Sequence, residues 1–176
     1  METLHGKRTA LAYRLTAAVL IAVTLLAATG CGSAANDNAA AESSAAAPPS
    51  ITTRIKAGGN PFEVAGIQNP QKFLEVFAKV QTAIAADDKA TVASLILYPL
   101  RVNGKSGTQL IKTRDVFVEQ YDSIINSNVK EAIARQSADN LFVNYQGVMV
   151  GNGDIWFGGS ADTPQVYGII AVNHDI

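Results

Sequence analysis

Apolar and polar positions alternate most clearly over residues 146–157, QGVMVGNGDIWF, where hydrophobic runs flank Asn152-Gly153. Asn-Gly is the preferred pair for a two-residue type I′ turn, because both central positions need φ > 0. Such a turn predicts the pairs Gly151 with Asp154, Val150 with Ile155, Met149 with Trp156 and Val148 with Phe157. One face then carries Val148, Val150, Ile155 and Phe157, and the other carries Met149 and Trp156. A second run at 165–173, QVYGIIAVN, is long enough for the next strand. Residues 141–145 lead into the hairpin.

Upstream the period changes. Phe73, Val76, Phe77, Val80 and Ile84 recur at helical spacing behind Asn69-Pro70, a capping residue followed by a proline suited to the first helical position. Asp87-Asp88 ends this helix or opens a short one through Leu95, whose apolar side is Val92, Leu95 and Ile96. Residues 98–103, YPLRVN, alternate as a strand with Leu100 and Val102 on one side. Pro99 lacks a donor and belongs near the strand's start or on an edge. Residues 104–107 turn, and 108–112 return as a short strand. Thr113 caps a helix over 114–125 with Val116, Phe117, Gln120, Tyr121, Ile124 and Ile125 inward, and 129–136 continue as a turn or two of helix. Residues 51–56 alternate weakly before Gly58-Gly59-Asn60-Pro61, which suits either an edge strand or part of a tether. Helices precede a run of strands without βαβ repetition, so the predicted class is α+β with an antiparallel sheet packed on N-terminal helices.

The N-terminal segment divides the chain. Residues 15–28, LTAAVLIAVTLLAA, are nearly all apolar and follow Lys7, Arg8 and Arg14. A run of 14 suits a signal-peptide core and is short for a membrane span of about 20 residues. It ends in Ala28-Thr29-Gly30-Cys31, which resembles a bacterial lipobox, with Ala28 where leucine is commoner. The resemblance implies a signal peptide over 1–30, lipid attached to Cys31, and a cell-envelope address. Gly32 follows instead of aspartate, which by analogy with enterobacterial sorting implies the outer membrane, facing the periplasm, in a Gram-negative cell. Cys31 is the only cysteine, so no intramolecular disulfide forms. Residues 33–50, SAANDNAAAESSAAAPPS, offer no aromatic or β-branched residue to bury and read as a tether, leaving 51–176 as one globular domain.

Charge and candidate chemistry narrow the function classes. The whole chain has 14 basic and 15 acidic side chains. Without residues 1–30, which hold three basic groups and Glu2, the count is 11 against 14, or −3. There is no basic stripe for nucleic acid and no polybasic run for anionic lipid. His174, the one histidine beyond the signal segment, lies near the end and reads as solvated. Residues 158–162, GGSAD, fall short of G-x-S-x-G, and Gly151-Asn152-Gly153 has Trp156 where a dinucleotide fingerprint wants its third glycine. No metal set or cofactor motif stands out. Asp115, Glu119 and Asp122 share one helix face, either as a solvated acidic side or with Asp122 and Tyr121 as base and donor. Tyr98, Tyr121, Tyr145 and Trp156 are core aromatics or the lining of a pocket for an apolar ligand.

The order of elements, with YPLRVNG, FVEQYDSI and LFVNYQGVMVGNGDIWF in sequence, resembles the nuclear transport factor two-like superfamily over about residues 69–173. There a curved sheet wraps an N-terminal helix in a cone. The superfamily holds isomerases, dehydratases, cyclases and non-catalytic binding domains, so the resemblance implies a fold and leaves the activity open. The expectation is a lipid-anchored, non-catalytic binding module for a protein or small ligand. The alternative is an isomerase, dehydratase or hydrolase of the same cone. Met149 and Trp156, pointing away from the helices, predict a partner site or a homodimer centred on Trp156.

Overall fold

The computed structural model describes residues 50–174, which fall within one compact unit. Cys31, the signal segment and nearly all of the tether lie outside the described residues. Ser50 caps helix α1, Ile51–Lys56, by accepting from the Thr53 amide. This segment, which the alternation left as strand or tether, is a helix. It is held by Asp139, whose carboxylate accepts from the Thr52 amide at 2.9 Å and the Thr52 hydroxyl at 2.5 Å.

Helix α2, Pro70–Ala85, follows the expected signals: Asn69 accepts from the Lys72 amide, and Phe73, Phe77, Val80 and Ile84 are buried. Asp88 caps α3, Lys89–Ser94, and strand β1 spans Ile96–Gly104. Strand β2, Gly107–Ile111, returns from it. The single helix expected over 114–125 is instead two short ones, α4, Arg114–Glu119, and α5, Tyr121–Ile124, broken at Gln120. Asn126 caps α6, Ser127–Arg135. Strands β3, Phe142–Asn144, β4, Gly147–Val150, β5, Ile155–Gly159, and β6, Tyr167–Asn173, complete the chain.

The six strands form one open, curved sheet in the order β2-β1-β6-β5-β4-β3. The architecture is α+β, as the element order predicts. The sheet is mixed and not wholly antiparallel, because β1 and β6 run side by side in parallel. The β1–β2 hairpin and the β3–β6 meander are separated in sequence by three helices, and this long connection lets their strands meet in the same direction. Pro99 sits inside β1 where the register with β6 shifts, an irregularity that tolerates its missing donor.

The hairpin register matches the expectation: Val148 with Phe157, Met149 with Trp156, Val150 with Ile155. Its turn chemistry differs. Gly151 (φ 64°) and Gly153 (φ 110°) carry the positive angles, and Asn152 does not. The Gly153 amide donates to the Val150 carbonyl at 3.3 Å, and Asp154 accepts from the Asn152 amide at 3.0 Å. Four residues turn the chain, and the side chain of Asp154 does part of the work assigned to Asn-Gly.

The helices cover one face of the sheet. Phe73 and Phe77 of α2 meet Phe157 edge-on at 6.1 and 5.7 Å between ring centres, and Phe62 meets Phe73 edge-on at 4.6 Å. Val148, Val150, Ile155, Phe157, Ile169 and Val172 are all fully shielded. Among the described residues every shielded large side chain is hydrophobic or Tyr121 or Tyr167, so the space between helices and sheet is filled by side chains.

Candidate functional site

Among the described residues, no helix lies on the other face of the sheet. Strand pairing places six residues side by side across all six strands: Leu110 pairs with Arg101, Arg101 with Ala171, Ala171 with Trp156, Trp156 with Met149, and Met149 with Phe142. At about 4.8 Å per strand the row spans roughly 24 Å. Its ends stand in solvent, with Leu110 50% and Phe142 53% exposed. Trp156, Met149 and Ala171 are half-buried.

The two halves of the row differ in relief. Trp156, Met149 and Phe142 make a ridge of large side chains. Trp156 also walls a groove of about 630 Å³ that is lined by Pro99, Arg101, Leu110 and Ala171 and reaches Gln146 at the β3–β4 turn. The floor is shaped by a register shift opposite Trp156 and Phe157, which inserts Ile170 between the paired Ile169 and Ala171. The Ile170 side chain lies over Gly158 and reaches Gly147, and a Cβ on Gly158 would press on it at 3.1 Å.

A polar shelf borders the groove. Thr108 Oγ1 donates to Asn103 Oδ1 at 2.7 Å, Asn103 Nδ2 to Asn173 Oδ1 at 2.6 Å, and Asn173 Nδ2 to the Gly153 carbonyl at 2.5 Å. Arg101 is the one charged group in the row, and among the described residues its guanidinium makes no ion pair or hydrogen bond. An apolar ridge, a groove with a cation in it and a fixed amide shelf suit association with another surface.

Of the expected site residues, only Met149 and Trp156 meet. Tyr145 stands 82% exposed at the β3–β4 turn. Tyr98 lies toward the helices and donates to the Ala93 carbonyl at 3.1 Å, and burial pushes its phenol above the ordinary range. Tyr121 is fully buried against Phe117, 5.7 Å away and perpendicular. Lys89 Nζ and Lys130 Nζ stand 5.1 and 5.7 Å from its ring centre, and its buried hydroxyl has no partner. Burial first, then Asp87, Asp122 and Asp88, pushes its pKa up to about 12. Asp122 is exposed and accepts from Lys89 at 2.7 Å, which holds its carboxyl below the usual range. The tyrosines and Trp156 therefore do not line one pocket.

His174 differs from its reading as a solvated terminal residue. Its amide donates to the Asn103 carbonyl at 2.8 Å, and Nε2 lies 2.9 Å from the Ile124 carbonyl, so it pins the end of β6 to α5. Arg101, Ala171, Leu110 and Phe142 were missed as site residues. Alternation in YPLRVN already sets Arg101 opposite Leu100 and Val102, but its place in line with Trp156 depends on the parallel β1–β6 pair.

Among the described residues no helix is long and apolar enough to cross a membrane, and no cluster of three or more His, Cys, Asp or Glu side chains is placed to hold a metal. No family model, curated protein or solved structure matches the chain.

Proposed function

We propose that this protein is a lipid-anchored module of the bacterial cell envelope that binds a protein partner through the open face of its sheet. The observation that carries the reading is the cross-sheet row: Trp156, the only tryptophan, stands beside Met149 and Phe142 on a face that no helix among the described residues covers. Interfaces are enriched in such aromatic, Met and Arg side chains. Anchoring rests on the residues 15–31 pattern, with Cys31 as the lipidated position and the outer membrane as the address in a Gram-negative cell. A cone of the nuclear transport factor two-like type is the fold we favour, on the strength of helices followed by a hairpin, further helices and a meander.

The alternative, an isomerase, dehydratase or hydrolase, draws little from the geometry. A catalytic base in a cone needs a desolvated carboxylate with a raised pKa. Asp122 is outside, paired with Lys89 and shifted the other way.

The test is a thiol-tagging comparison in the full chain, whose own thiol at Cys31 is occupied by lipid. Met149→Cys should react several-fold more slowly with a maleimide polymer in intact envelopes than after purification and dilution in detergent. Glu75→Cys, on the solvent side of α2, should react alike in both. Equal reactivity of Met149→Cys in the two settings refutes a partner on this face.

A further inference from the structure

We infer that the groove beside Trp156 receives a carboxylate of the protein partner, from an acidic side chain or a chain terminus, and that Arg101 grips it. This rests on the open face being a partner surface and adds the chemistry of what enters it. The distribution of charge carries it. None of the six strands contains an aspartate or glutamate, and Arg101 is the only charged residue in any of them. The acids of the described residues stand in helices, caps and loops. There Lys89 pairs with Asp122, Lys130 with Asp87 and Arg135 with Glu131. The Arg101 guanidinium makes no such pair among the described residues.

The groove around Arg101 has donors to spare. Asn103 Oδ1 already accepts from Thr108, Asn173 Oδ1 from Asn103, and Gln146 Oε1 from Asn144 Nδ2 at 3.3 Å. Two groups of the lining, the Arg101 guanidinium and Gln146 Nε2, make no hydrogen bond among the described residues. Both only donate, so what completes them is an acceptor. A carboxylate takes two parallel N–H···O bonds from one guanidinium and cancels its charge. Trp156, Pro99 and Leu110 wall the same groove, and the water they exclude strengthens the pair. At about 630 Å³ the groove has room for a side chain or a chain end. Lipid phosphate offers similar acceptor oxygens, but attraction to an anionic membrane builds up over clusters of cations, and the strands supply one.

The experiment follows the Met149→Cys thiol of the full chain in intact envelopes, in three backgrounds. With Arg101 in place the thiol should react several-fold more slowly than after dilution in detergent. Arg101→Gln removes the charge and should weaken the partner's hold roughly tenfold, which brings the reaction close to the diluted rate. Arg101→Lys keeps the charge without the fork and should fall between the two. High salt should speed the reaction with Arg101 in place and leave the Arg101→Gln rate unchanged. Position 101 is exposed, and unchanged circular dichroism confirms folding. In the Arg101→Lys envelopes a carbodiimide should join the amine at position 101 to the partner's carboxylate as an amide, with one carboxylate oxygen leaving in the urea. Sequencing the joined peptides separates an acidic side chain from a chain terminus. Protection in Arg101→Gln equal to that with Arg101, or no joined peptide at position 101, overturns the carboxylate and leaves the binding face standing. A thiol unprotected even with Arg101 in place removes both. Equal slowing of the purified chain in phosphatidylglycerol vesicles that hold no other protein assigns the face to lipid and overturns the protein partner.

Discussion

Replacing Tyr121 by phenylalanine tests whether this residue is core or site. The ring is packed edge-on against Phe117 and capped by Lys89 and Lys130, contacts that phenylalanine keeps. What it loses is a buried hydroxyl with no hydrogen-bond partner. Leaving such a group unsatisfied costs about 1–3 kcal/mol, so Tyr121→Phe should be neutral to about 1 kcal/mol more stable at pH 7. The pH dependence has a definite sign. Burial and the neighbouring carboxylates raise the folded phenol to about 12, from 10.0. Between these values the unfolded chain has released the proton and the folded chain holds it, so stability falls as pH rises. The slope approaches about 1.4 kcal/mol per pH step, and the whole loss is about 2–3 kcal/mol. It is absent below pH 9 and complete above pH 12. Tyr121→Phe removes this part of the alkaline loss. Urea midpoints followed by Trp156 fluorescence from pH 7 to 11 would measure it. Destabilisation by more than 1 kcal/mol at pH 7, or parallel pH curves for the two proteins, would refute the reasoning and show that the hydroxyl has a partner.

Other substitutions address the elements that hold the open face in place. Phe157→Ala removes the ring on which Phe73 and Phe77 both pack, and should cost about 3–5 kcal/mol in urea unfolding. Gly147→Ala sets a Cβ against the Phe157 carbonyl at φ 143°, so a loss of roughly 1–3 kcal/mol is expected in the same assay. Asp139→Ala frees the Thr52 amide and hydroxyl and should release α1, read as faster trypsin cleavage after Arg54 and Lys56 with little change in the global midpoint. Asn69→Ala removes the α2 cap, with an expected cost of about 1 kcal/mol.

Local signals were most legible where one side chain decides one backbone group. Asn69, Asp88 and Thr113 all cap the helices their positions suggest, because an Asx or Thr side chain ahead of an apolar period has one amide to satisfy. The hairpin register was legible for a different reason: a slip of one residue would carry Val148, Val150, Ile155 and Phe157 out of the core. Its turn was not, since burial fixes the register while several glycine placements close the loop. Residues 51–56 misled through Ile51, Thr53 and Ile55, which mimic a strand's alternation. Their helix depends on the Ser50 cap and on Asp139, 87 residues away from Thr52, and no local pattern reports that bond.

The open face illustrates the limit of period and spacing. Alternation sorts the residues of each strand into two sides, and for Met149 and Trp156 that was enough. It cannot order strands, and the row from Leu110 to Phe142 exists only because β6 sits between β1 and β5. Had the β1–β2 hairpin joined the meander beside β3, Arg101 would neighbour Phe142 within its own chain and the two would satisfy each other. Placed at β6 instead, it stands two strands from Trp156 on one side, as Phe142 does on the other. Cation and ring are then equidistant from the centre of the ridge-and-groove surface and out of each other's reach.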